Sequence, residues 1–178
     1  ESRLTAQGPR ARTLVSFEVL TDDVLDQAAE RARGLVDRDA LQAGLADGTI
    51  DALVSDHNPV AADAKQVPFA EAEPGATGVE LLLSLALKWG RGRGLTLAQS
   101  LAPVTSSPVR VLGASLGGYA GQAGRLVEGG VADFCLFDPE AHWRVEAGSL
   151  RSQGKHTPFA FEINGFELPA RVKMTWVA

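Results

Sequence analysis

The sequence predicts an α/β chain that turns β-rich in its last third. Three observations carry that reading. An apolar strand-like run, Ile50–Ser55, ends directly in Asp56-His57. A strongly apolar helical run, Val79–Trp89, comes next after a polar loop. Beyond Gly113 glycines crowd the chain, and the residues after them read as β structure. The 178 residues, 45% apolar and 22% charged, are enough for one domain with a real core. We place the divide near residue 113, with 1–113 as the α/β part and 114–178 as a connector and small β-rich domain.

Each element has its own justification. Residues 1–13 are polar and carry Gly8-Pro9, so no regular element is expected there. Glu1-Ser2-Arg3 has neither a starting Met nor an apolar signal core and reads as a cut end. Leu14–Leu20 is a short β-like run. Thr21 offers a helix cap with acids in the first turn, and Val24, Leu25, Ala28, Ala29 and Ala32 recur at helical spacing up to Gly34. A second helix is expected from Asp37, through Leu41 and Leu45, to Gly48. Thr96–Ala102 reads as helical, and Pro108 opens a short helix, Val109–Leu112, capped by the preceding serines and stopped by Gly113. Phe134–Phe137, Trp143–Val145 and Val172–Val177 read as strands.

Composition excludes several classes. A net charge of −5 leaves no basic face for nucleic acid. The densest cations, Lys88, Arg91 and Arg93, fall at a helix end, where they complement its dipole. No apolar stretch is long enough to span a bilayer. One cysteine, Cys135, rules out an internal disulfide, and its apolar neighbours predict a small buried hydrophobe. The glycines of 113–124 precede no phosphate-binding helix, and Ser106-Ser107-Pro108 is no nucleophile elbow.

Chemistry concentrates at Asp56. A carboxylate at the C-terminal end of a buried strand stands where α/β barrels place their active sites, able to bind a metal or move a proton. An Asp at a strand end also caps turns, so the pair Asp56-His57 alone decides little.

The surrounding motifs decide more. Gly48–Pro59, Asp63-Ala64-Lys65, Pro68–Gly75, Gly78–Leu83, Ser107–Gly113, Ala132–Pro139 and Ser152–Phe159 come in the order found in dihydroorotases, and over residues 38–178 the chain resembles the C-terminal part of that family. The resemblance implies the C-terminal portion of a TIM-like amidohydrolase barrel followed by a small β-rich domain. It implies the reaction of L-dihydroorotate with water to N-carbamoyl-L-aspartate in pyrimidine biosynthesis, zinc as the metal, and a cytoplasmic, oligomeric protein. Asp56 then corresponds to the residue that binds metal and acts as general acid/base, and His57, Pro74 and Gly75 fall on the substrate side.

Departures from the family are equally specific. Its His-x-His, bridging lysine and two mid-barrel histidines have no counterpart here, since the only histidines are His57, His142 and His156. His142 reads as a surface residue before a strand, and His156 stands in a loop where the family usually has asparagine. The family loop Asp-His-Ala-Pro-His ends in a substrate-contacting histidine, replaced here by Val60. A catalytic zinc needs three protein ligands, and Asp56 with His57 supplies two at most. Two further readings therefore stand beside the enzyme: a non-catalytic structural partner of aspartate transcarbamoylase, and another cyclic amidohydrolase of hydantoinase or allantoinase type. The few barrel strands in this chain also leave an open sheet edge, an aggregation liability.

Overall fold

The computed structural model describes residues 14–16, 28–160 and 166–178, with side chains from residue 38 onward. The expected segment before Leu14 and the helix start at Thr21 lie outside the described residues. Leu14–Ser16 forms β1, which pairs in parallel with β2, Ala52–Val54, in the register Leu14 to Ala52. Between them runs the helix α1, Ala28–Asp47. This βαβ arrangement is the repeating unit of a parallel barrel.

The break expected at Gly34 does not occur. α1 runs through it as one helix, because a single glycine weakens a helix by only about 1 kcal/mol and does not stop it. The helix ends at Gly48, whose φ of +77° is the left-handed turn that glycine adopts freely. The Ile50 amide then returns to the Gly44 carbonyl at 2.8 Å and turns the chain into β2. β2 is shorter than the apolar run Ile50–Ser55, but Ile50, Ala52 and Leu53 are all buried.

The apolar helix is α2, Leu82–Gly92, entered through a turn at residues 79–81 rather than starting at Val79. α3, Leu97–Leu101, begins at Thr96, whose hydroxyl accepts from the Gln99 amide while the Gln99 side chain accepts from the Thr96 amide. Gly90 lets α2 and α3 close up: a Cβ there would lie 1.9 Å from the Ser100 hydroxyl. α4 spans Ser106–Leu112, so the serines expected to cap it form its first turn instead. Ser107 accepts from Arg110 at 2.8 Å within that helix, and Gly113 ends it at φ +52°.

Two long antiparallel strands close the chain: β3, Phe134–Val145, and β4, Phe166–Trp176. The separate strands expected at 134–137 and 143–145 are one element with a register shift between Asp138 and His142. Pro139 sits in that shift and cannot donate to a ladder, while the Asp138 carboxylate takes up the Glu140 amide at 3.0 Å. Cys135, expected in the core, is exposed, because the outer half of this ribbon packs against nothing on that side among the described residues.

The core joins both halves of the chain. Leu53 of β2, Leu81 and Leu85 at α2, Val145 of β3 and Phe159, Phe166 and Leu168 near β4 form one buried cluster. Lys88 lies 3.4 Å above the Phe166 ring and donates to the Glu167 carbonyl, so it docks the ribbon from within α2, and of the cations expected to answer the helix dipole Arg91 stands in the last turn. Arg91 also docks the ribbon, through the Pro139 carbonyl and Glu140, and Ser84 donates to the Ala170 carbonyl at 3.0 Å. Among the described residues, no helix is long and apolar enough to cross a membrane.

Candidate functional site

β2 delivers the chain to Asp56, two residues past its end. Asp56 is exposed and has φ +46°, in the left-handed region that few non-glycine residues enter. The residues after it are tied down. The His57 Nδ1 accepts from the Gly78 amide at 3.0 Å and from the Val79 amide at 3.3 Å. The Asn58 amide donates to the Ala76 carbonyl at 3.0 Å, and its side-chain Nδ2 donates to the Pro74 carbonyl at 3.1 Å.

Pro74 and Gly75 thus come to lie directly across Asn58. Gly75 has φ +125°, and a Cβ added to it would meet the Asn58 carbonyl oxygen at 2.5 Å. Only glycine fits both the backbone angle and the space. All four residues singled out in the sequence, Asp56, His57, Pro74 and Gly75, therefore share one corner.

A second loop backs this corner. The buried Thr77 amide donates to the His156 carbonyl at 2.7 Å, and the Thr77 hydroxyl donates to the Gly154 carbonyl. The Glu80 carboxylate accepts from the Arg151 amide at 2.8 Å and the Ser152 amide at 3.0 Å. Gly154 presses on the backbone of Val60, where a Cβ would come within 2.7 Å of the Val60 nitrogen. Lys65 reaches the Glu73 carbonyl and so fixes the polar loop between Val60 and Pro74. His156 is half-buried beside Lys65, and desolvation first, then that ammonium, lowers its pKa from the ordinary 6.5. His142 is exposed with its Nδ1 3.0 Å from the Glu140 carbonyl, as a surface residue should be.

Sequence reasoning missed Asn58, Thr77 and Glu80 as the tethers of the site. Asn58 could have been found: an asparagine directly after a strand-end Asp-His pair is suited to bonding backbone across a turn. Glu80 reaches a loop some 70 residues away and left no local trace.

Val60 is 4% exposed, with its backbone directly against Gly154. It offers no hydrogen bond to a ligand. No group of three His, Cys, Asp or Glu among the described residues is placed to hold a metal ion. These residues by themselves do not fit a catalytic zinc, which takes three protein ligands.

No protein-family model matches the sequence. Curated relatives do. A dihydroorotase from Citrifermentans bemidjiense is 38% identical over 145 residues, 82% of this chain and 32% of the relative. A dihydroorotase-like protein from Pseudomonas aeruginosa is 39% identical over 145 residues, 82% of this chain and 31% of its own length. A dihydroorotase from Syntrophus aciditrophicus is 34% identical over 176 residues, 98% of this chain and 39% of its own.

The chain belongs to the dihydroorotase-like amidohydrolases. It spans about a third of the length of these relatives and corresponds to their C-terminal part. Solved structures agree on the fold. A D-hydantoinase matches 80% of the chain with a TM-score of 0.66 at 23% identity. A dihydropyrimidinase from Brevibacillus agri matches 93% with a TM-score of 0.73 at 18% identity. The dihydroorotase-like chain is thus the end of a TIM-like amidohydrolase barrel with its β-rich tail, as the resemblance implied.

Proposed function

We propose that this dihydroorotase-like chain supplies the Asp56 corner of a protein of pyrimidine biosynthesis whose reaction is the opening of L-dihydroorotate by water to N-carbamoyl-L-aspartate. The observation that carries the reading is the convergence of Asp56, His57, Pro74 and Gly75 on one corner past the end of β2. In that role Asp56 takes a proton as water adds to the ring carbonyl and returns it to the departing amide nitrogen, while the 74–79 loop borders the substrate. The division at residue 113 into a barrel part and a β-rich part belongs to the same proposal, as do a cytoplasmic location and an oligomeric state.

Zinc is the family's metal, and no three ligands for it are grouped together among the described residues. A complete centre therefore requires residues beyond those described. Val60 supports a second reading, a non-catalytic partner of aspartate transcarbamoylase: a buried valine occupies the position of the family's substrate-contacting histidine.

One experiment separates the two. Dihydroorotate turnover is measured on the full-length protein and on its Asp56→Ala variant. Loss of about 10²-fold or more in kcat supports the catalytic role of Asp56. Absent turnover in a folded parent overturns it, and retention of transcarbamoylase binding by both forms then establishes the scaffold.

A further inference from the structure

We propose that His57 is a positioning residue: through its Nδ1 it holds Asp56 in the left-handed backbone conformation that aims the Asp56 carboxylate. The inference rests on the reading of Asp56 as the acid/base, but its geometry stands apart from any turnover.

Asp56 at φ +46° lies where the Cβ of an L-residue crowds the following carbonyl oxygen, a conformation that Asp tolerates better than most residues but that its surroundings must still hold. Its side chain makes no hydrogen bond that could supply this restraint among those found in the described residues. The restraint comes from the next residue along the chain. A backbone amide is always a donor, so the contacts at 3.0 and 3.3 Å from Gly78 and Val79 require a lone pair on the His57 Nδ1. The ring proton accordingly sits on Nε2.

Those two amides cannot drift. Thr77 before them is fully buried and bonded to the His156 and Gly154 carbonyls, and Glu80 after them is bonded to the Arg151 and Ser152 amides. The imidazole is therefore moored to the most heavily tied segment of the site. Asn58 adds two tethers one residue further on, and the His57 side chain restrains the residue bonded directly to Asp56.

The test uses the full-length protein with Asp and His labelled by ¹³C and ¹⁵N, as parent, His57→Leu and His57→Asn. Asparagine carries an acceptor oxygen where histidine has Nδ1, so it preserves the mooring. In the parent, His57 shows the Nε2–H tautomer, and the Asp56 ¹³Cα shift is that of a left-handed residue. In His57→Leu the Asp56 shift moves toward ordinary backbone values, and in His57→Asn it stays. If the protein turns over dihydroorotate, His57→Leu lowers kcat about tenfold or more with KM within about threefold, and His57→Asn recovers most of it. An Nδ1–H tautomer, or an Asp56 shift unchanged by leucine, overturns the proposal. Equal loss of kcat in both variants overturns it in favour of direct contact with the reactants. A parent without turnover defeats the catalytic reading of Asp56 alone, because the shifts still decide the role of His57.

Discussion

His156 carries a pH dependence that its position makes legible. Burial, and then the Lys65 ammonium, lower its pKa below 6.5 in the folded chain, so folding favours the neutral imidazole. Above pH about 6.5 the ring is neutral in both states and the contribution is complete. As the pH falls through that value the unfolded chain binds the proton first, and stability is lost down to the folded pKa. We expect urea midpoints of the parent to fall more steeply below pH 6.5 than those of His156→Asn, with Lys65→Met intermediate; parallel pH profiles would falsify this account. The sequence located His156 in a loop of the β-rich part but could not show its neighbour. Lys65 is 91 residues earlier, and only the fold of the 60–74 loop against the 150–157 loop brings the two charges near. By contrast the buried strand that ends just before Asp56 was readable, from the apolar run that forms it.

At the scale of elements, short-range physics was legible and long-range context was not. Thr96 and Gln99 are three residues apart, the spacing of a capping box, and α3 starts there as the pattern implies. Thr96→Ala removes the hydroxyl that accepts the Gln99 amide, and the expected cost is about 1 kcal/mol in a denaturant titration. Because α3 carries Ser100 into contact with Gly90, part of that cost should appear as faster amide exchange at the end of α2. A titration in which Thr96→Ala matches the parent would mean the helix start is held by packing alone. The departures from the expected elements have separate physical causes. Gly34 looked like a stop, yet α1 continues through it to Gly48, where a left-handed turn is built. β3 looked like two strands because Asp138–Ala141 is polar and carries proline. The long partner β4 pairs with the segments on both sides and joins them into one element. Cys135 looked buried because its neighbours are apolar, but alternation along a strand says which residues share a face, not whether anything covers it.

For the whole molecule, that uncovered ribbon sets the behaviour of the chain. Phe134, Leu136, Met174 and Trp176 lie on one face of β3–β4, 37% to 56% exposed, with the Phe134 and Trp176 rings stacked at 4.7 Å. A two-stranded ribbon has two free edges and is marginal by itself, and an apolar face on such a ribbon favours association with another surface. The 178-residue chain spans about a third of its relatives, so two circumstances must be compared. Purified alone at about 100 µM, the chain should self-associate, as seen by light scattering. Leu136 and Met174 are register partners, so Leu136→Lys with Met174→Glu replaces an apolar cross-strand pair by an opposite-charge pair and leaves the ladder intact. The pair should reduce scattering without unfolding the ribbon; a parent that stays monomeric, or scattering that the pair does not change, refutes the assignment of association to this face. In the full-length protein the same two substitutions report on any segment packed against the ribbon. If another segment buries the face, introducing two charges there should lower stability by about 2 kcal/mol or more, since burying a polar group without partners costs that much. If the face stays in water, the full-length melting temperature should not move, and the ribbon is then exposed in the complete protein as it is in this chain.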